Sequence, residues 1–396
     1  MVTIQSANSV LKDAYLGVII NQLNAATNPF YNKVAMGSED IVGKNILSAV
    51  KVGINGGIGS GSEQSPLPTA SGNTYCSLKA DLKNIYGNIE LSDKVIRASR
   101  SSINSLVSVL NAEMEGLLEA AKFNFGRMLF QKGNGVLATV GTLGEATSYN
   151  ELPVSNTRNF IEGMLIDITT PTTLRGGGHK VTLVNRVDGT ITISPSIKAN
   201  TGVAKDDLIT LQQSLNCEIY GLPYLFDASE MQFYGNMRIN IANILPIINN
   251  INAPISSDAI QAQLDMLEER SGGDINLILC SYDVRRKYLQ FMQANRMNID
   301  YFNIDGGFKA LSYNGIPIVA DRFCPDGQMY FLNTNDFKLQ QLCDWKWLEG
   351  EGGSVLRQME SKPCYQATLV KYANLICTKP TGQALMSGII SPAEEE

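Results

Sequence analysis

The chain has a single histidine, His179, which follows Gly176-Gly177-Gly178. A Ser-His-Asp or Cys-His arrangement would have to use it, yet no G-x-S-x-G elbow or other nucleophile context accompanies it. His179 therefore reads as a loop histidine facing solvent. The glycines Gly53, Gly56, Gly57, Gly59 and Gly61 invite comparison with a phosphate-cradling loop. No Gly-Lys-Ser/Thr follows them, and the next element reads as a strand, not as a helix whose N-terminus could hold phosphate. Paired carboxylates occur at Asp206-Asp207, at Glu268-Glu269, and at Asp300 with Asp305. Each falls in a loop or on the polar face of a helix, where solvated charge is the expectation. The seven cysteines are scattered, with no C-x-x-C pair and almost no histidine to complete a zinc site. They read as reduced, mostly buried small hydrophobes. These residues lead to no catalytic centre, no metal and no cofactor.

The elements that would have to position any chemistry are more informative. At 396 residues the chain exceeds what one hydrophobic core usually serves, so two or more domains are expected. Its 44% hydrophobic and 18% charged residues suit a folded chain, and a net charge of -6 offers no basic excess for gripping nucleic acid. The start lacks the basic and apolar regions of a signal peptide, and no stretch approaches the ~20 apolar residues that span a bilayer. The expectation is a protein made and kept in the cytosol, without membrane contact.

Residues 10 to 26 carry Val10, Leu11, Ala14, Tyr15, Val18, Ile19 and Leu23 at helical spacing, and Asn28-Pro29 ends that run. This reads as an amphipathic arm. From 46 to 54 and from 75 to 86 the apolar residues fall on even positions, the pattern of half-buried strands. The linker between them is rich in Gly, Ser and Pro, so the pair reads as a long hairpin with a supple tip. An isolated hairpin is marginal in water, so a second subunit is expected to cover it.

Residues 102 to 131 repeat apolar side chains at three- and four-residue steps, a helix of about 45 Å with Gly133 at its C-terminal stop. Residues 154 to 215 turn to Thr, Ile, Val and Gly in short runs, with an Asp188-Gly189 hairpin signal, and read as a small inserted β-barrel or sandwich. Then helix and strand alternate. Ser257 is expected to cap a helix that Gly272 closes, Ser281 a second, and strands at 275–280, 316–320, 328–332, 338–342 and 365–378 complete a mixed α/β unit. The Glu349-Gly-Glu351-Gly-Gly stretch reads as a turn tip that meets a neighbour, and the last residues, from Ser391 on, as a frayed polar tail.

Arm, Gly-rich hairpin, spine-length helix and α/β domain, in that order, resemble the tailed-phage major capsid proteins of the Hong Kong 97 fold. The resemblance is carried by Leu11-Lys-Asp-Ala-Tyr and Asn28-Pro29-Phe30 in the arm, and by Gly56-Gly57-Ile-Gly with Leu67-Pro68 at the hairpin tip. Further segments are Leu82-Lys-Asn-Ile-Tyr-Gly-Asn-Ile-Glu-Leu-Ser before the long helix, then Asn314-Gly-Ile-Pro-Ile-Val-Ala-Asp and Met329-Tyr-Phe-Leu-Asn-Thr. It implies an α+β capsid fold: arm (1–45), extended β-hairpin loop (46–92), peripheral domain with the spine helix (93–153) and inserted β-barrel (154–218). An axial α/β domain (219–350) and the return strands of the peripheral domain with the tail (351–396) follow.

The implied function is a structural subunit of hexamers and pentamers that form an icosahedral virion head around double-stranded DNA, without sequence-specific binding. Portal and scaffolding proteins would be partners, and the host cytoplasm the place of synthesis. Subunit contacts are expected at Asn28, Pro29, Phe30, Lys51, Gly56, Gly57, Leu67, Pro68, Glu349 and Glu351. Some relatives begin with a long charged scaffold segment; none is read at the start here, which implies a separate scaffolding protein or a numbering that starts at the mature chain. Lys51, Lys79 and Lys83 could cross-link by location alone, and no cross-link is expected. The alternative on the same fold is an encapsulin-like shell around enzyme cargo; an α/β hydrolase or transferase would have to explain the missing nucleophile.

Overall fold

The helical stripe between 102 and 131 forms one helix, Ile103–Met128. The computed structural model describes residues 29–64, 66–94, 103–271, 274–295, 301–304, 308–350, 353–360 and 362–391. The amphipathic run of 10–26, Asn28, Gly272, Asp300, Asp305, Glu351 and residues 392–396 lie outside these.

The long helix lies on a sheet whose central strand, Cys364–Cys377, pairs with both Lys83–Ser92 and Phe337–Trp347. Helix and sheet meet closely at Gly87, where a Cβ would sit 2.8 Å from Leu117 Cδ1. Lys371 of the central strand is fully buried. Its ammonium bonds Asp344 Oδ1 at 2.5 Å and Gln341 Oε1 at 2.8 Å, and lies over the Phe125 and Trp345 rings. Burial lowers its pKa against the opposing pull of Asp344.

The hairpin appears as Asn45–Gly53 against Thr74–Asp81, antiparallel. Its even-numbered side chains Ile46, Val50, Leu78 and Ala80 belong to the main core together with Phe233 and Tyr234 of the same chain. The Lys79 N–H donates to Tyr234 O at 2.8 Å. The expectation that another subunit covers the hairpin is thus corrected for its base, which its own chain covers.

Six strands form the β unit, in the order Val136–Thr139, Leu208–Leu211, Leu165–Thr169, Leu174–Asn185, Thr190–Lys198 and Ser148–Pro153. Its two end strands meet at a Val140–Val154 bridge, with Gly141 N–H to Pro153 O at 2.7 Å and Ser155 N–H to Thr139 O at 3.0 Å, so the sheet curls shut. Leu137, Leu152, Phe160, Ile166, Ile168, Val181, Ile191 and Ile209 fill it. The Asp188-Gly189 turn has Gly189 at φ +67. The sheet takes in two strands from before residue 154: Val136–Thr139, of four residues, and Ser148–Pro153, whose mostly polar sequence shows no apolar alternation.

A seven-stranded sheet runs Ile247–Pro254, Ala384–Ile390, Met329–Leu332, Leu277–Cys280, Ile316–Ala320, Phe308–Tyr313 and Tyr301–Ile304. Leu277–Cys280 and Met329–Leu332 are buried at every residue. Their continuous apolar composition follows from having both faces covered. Ile278, Cys280 and Phe331 meet Ile260, Leu267, Val284 and Tyr288 of the helices Ser257–Ser271 and Tyr282–Ala294. Leu277, Leu279, Tyr330 and Leu332 face the main core.

Three details differ from the sequence reading. Ser256, not Ser257, caps the first helix, accepting the Ala259 N–H at 3.1 Å, while Ser281 caps the second as expected, accepting from Val284 N. Phe337–Trp347 pairs with Cys364–Cys377 instead of joining the α/β sheet, and the last strand returns to that sheet beside Ile247–Pro254. Strand propensity reports pleating and burial, not which sheet receives the strand.

Candidate functional site

Among the described residues no group of three or more His, Cys, Asp and Glu could hold a metal ion. No helix among them is long and apolar enough to cross a membrane. His179 is not a solvent-facing loop residue: it sits within Leu174–Asn185, 6% exposed, with Nδ1 2.7 Å from Pro195 O. Asp207 is likewise buried instead of solvated, accepting the Ala204 N–H at 2.8 Å with Arg175 3.5 Å away. Only Cys280, Cys324 and Cys377 are buried among seven free thiols, so "mostly buried" is corrected; Cys217 is exposed. A cleft of about 620 Å³ opens between Leu117, Ala121 and Phe125 of the long helix, residues 82–88, and residues 211–218. Its charged side chains are engaged: Lys83 donates to Asn216 O at 3.1 Å, and Glu218 is bound by Arg127.

What remains is surface that could meet another chain. Beyond Gly53 and before Thr74 the hairpin has no strand, and its crest holds Ile54 at 80% exposure, Ile58 at 94% and Leu67 at 91%. Asn55 Oδ1 accepts the Gly57 N–H at 2.8 Å, and a Cβ at Gly57 would sit 3.3 Å from Ser71 N and Thr69 O, so the two limbs run close without pairing. Burying three such side chains in a partner is worth roughly 5–9 kcal/mol at about 1.5–3 kcal/mol each. Lys51, Gly56, Leu67 and Pro68 are exposed and Gly57 half-buried along this hairpin.

Pro29 and Phe30 are placed differently from expectation. They are buried in their own chain, with Phe30 edge-on to Phe337 at 5.2 Å and the neighbouring Tyr31 edge-on to Phe125 at 5.0 Å. A fully buried side chain offers a neighbour nothing; here it moors the chain where the arm ends. Glu349 is exposed on a turn closed by Gly350 N–H to Ser354 O and by Arg357 to Glu349 O.

The neck that joins the β-barrel to the body was not read from the sequence. Its outgoing and returning limbs are bonded by Asn216 N–H to Asn134 O, Gly221 N–H to Gln131 O and Leu222 N–H to Leu129 O, at 2.8–3.0 Å. Gly135, at φ +75, would place a Cβ 2.3 Å from Ser214 O, and Gly221 would place one 2.4–2.6 Å from three backbone oxygens. Arg127, at the end of the long helix and 0% exposed, grips Glu218, 2% exposed, through two bonds of 2.9 and 2.5 Å. From there Tyr220 stacks on Tyr224 at 4.1 Å, and Tyr224 stacks in turn on Phe233 beside the hairpin base. Burial pushes the Tyr220 phenol up to about 12. The available signal was the glycine spacing on both sides of the insertion. Replacing Gly221 by Ala overpacks backbone that cannot yield, and is expected to cost about 1–3 kcal/mol in chemical denaturation.

No family model and no curated protein matches the sequence. In fold the chain is similar to a chain of the Cyanophage A-1(L) capsid asymmetric unit, at 12% identity over 96% of this chain and 93% of that one, TM-score 0.54. It also aligns with the holo-SrpI encapsulin complex from Synechococcus elongatus PCC 7942, at 7% identity over 94% and 92%, TM-score 0.47. The capsid of the native GTA particle aligns at 10% identity over 93% and 91%, TM-score 0.46. The first likeness shows a shared α+β fold; the other two are too slight to argue from.

Proposed function

We propose that this chain is a shell-building subunit, the major capsid protein of a tailed bacteriophage on a fold of Hong Kong 97 type, with a structural and not a catalytic role. The observation that carries the reading is the fold likeness to a capsid chain over nearly the full length of both. The hairpin supplies the physical reason for assembly. A base locked into its own core holds out a crest of apolar side chains that no other described residue covers, the kind of surface that marks a contact with another chain.

On this reading the chain forms hexamers and pentamers, with contacts through Asn28, Lys51, Gly56, Gly57, Leu67, Pro68, Glu349 and Glu351. Residues 1–45 serve as arm, 46–92 as extended loop and 93–153 as peripheral domain, apart from Val136–Thr139 and Ser148–Pro153, which close the inserted barrel of 154–218; 219–350 serve as axial domain, apart from Phe337–Trp347, which pairs with the return strand of 351–396, whose last strand, Ala384–Ile390, joins the axial sheet. Portal and scaffolding proteins complete the head, made in the host cytoplasm, and the acidic chain encloses double-stranded DNA without reading its sequence. Nuclease treatment of particles purified from infected or induced cells tests the contents. DNA protected until the shell is disrupted is the expected result; particles that protect an enzyme and no DNA would contradict the phage assignment.

A further inference from the structure

Asp321 follows the strand Ile316–Ala320 and starts the loop that leads to Met329–Leu332. It is 6% exposed; its N–H donates to Cys280 O at 3.0 Å and its carboxyl accepts the Phe323 N–H at 2.8 Å. From this turn the loop reaches two other parts of the molecule. Phe323 packs edge-on to Phe123 of the long helix at 5.1 Å, with the Arg322 guanidinium over the Phe123 ring at 4.9 Å. Arg158, from the β-barrel, donates to Cys324 O and pairs with Asp326, both at 2.6 Å. One turn shaped by one buried carboxyl thus joins the α/β sheet, the long helix and the barrel.

The charged and titratable groups around the turn are few. On the loop itself are Arg322, which favours the ionised carboxyl, with Cys324 and Asp326; Cys280 comes from the adjoining strand, with Arg285 nearby, and Arg158 from the barrel. Burial outweighs Arg322 and the Phe323 N–H, and lifts the carboxyl from its ordinary 3.8 to about 6.

We propose that the Asp321 turn is a proton-controlled latch: with the carboxyl protonated it stays closed on the long helix and the barrel, and ionisation loosens it. A closed latch holds its proton up to about pH 6, whereas an opened, hydrated one gives it up near 3.8. The closed form therefore binds more protons only between those values. Opening becomes about tenfold easier per pH unit across that window, about a hundredfold in all, and is level above and below it. This concerns the single chain and does not depend on what the chain assembles into.

Hydrogen exchange of the full-length soluble protein from pH 4 to 7.5, corrected for intrinsic rates, tests it on peptides covering 321–328 and 157–163. The expected result is a fall in protection of about a hundredfold between pH 4 and 6, absent from the strand Leu277–Cys280. Asp321→Asn keeps an acceptor for Phe323 N–H and should hold the low-pH protection throughout; Arg322→Gln should extend the fall to higher pH at its upper end, with its start near 3.8 unchanged. A level wild-type profile overturns the latch even if neither variant folds, and so does an Asp321→Asn profile that falls as the wild type does.

Discussion

Removing residues 56–68 is expected to leave a soluble, folded subunit that no longer closes shells. The cut takes Ile58 and Leu67 from the crest and leaves every strand pair of the hairpin base, from Asn45↔Asp81 to Gly53↔Thr74, untouched. Folding should gain slightly, because shortening the crest from roughly 20 to 7 residues lowers the closure entropy by about 1 kcal/mol. Assembly should lose much of the apolar burial that the crest can offer. Denaturation midpoint and particle yield, measured on the same preparation, separate the two effects. A drop in midpoint without loss of particles would place the crest in the fold and not in the contacts.

Replacing Glu218 by Ala is expected to cost about 3–5 kcal/mol of stability, as much as truncating a large buried aromatic. Arg127 is then left as an uncompensated charge at full burial, since among the described residues its one other bond is 3.4 Å to Asn124 Oδ1. Arg127→Met combined with Glu218→Leu removes both charges, and should recover most of that loss. Urea denaturation of the single and double variants checks this. Equal losses in both would mean that the neck depends on the shape of these side chains rather than on their pairing.

Legibility followed periodicity. The hairpin was readable because Ile46, Val50, Leu78 and Ala80 alternate with exposed neighbours, and the long helix because its stripe runs unbroken to Met128. Ser281 was readable as a cap because a short hydroxyl before an apolar run satisfies an N–H left open by helix geometry. Destinations were not readable. Local composition separates the continuously apolar Met329–Leu332 from Phe337–Trp347, which mixes Lys, Gln and Asp with apolar residues, but it does not say that the second joins the helix-backed sheet and the first the other. Of the barrel's closing strands, Val136–Thr139 has only four residues, and Ser148–Pro153 is mostly polar, with no apolar alternation to show. His179 was misread because three glycines before it suggest a loop; instead they lie in a strand, where a Cβ on Gly176 would meet Ile197 Cδ1 at 2.6 Å and His179 Nε2 at 2.8 Å. Phe30 was taken for a contact because its motif lies in the arm, and burial against Phe337 depends on residues about three hundred positions away. The neck needs two distant limbs at once, so neither Gly135 nor Gly221 declares its purpose alone.

Negative-stain electron microscopy of the protein, expressed alone and with its neighbouring genes, tests the central claim most directly. Closed shells, or rings of six and five subunits, are the predicted result. Uniform monomers under both conditions would contradict it.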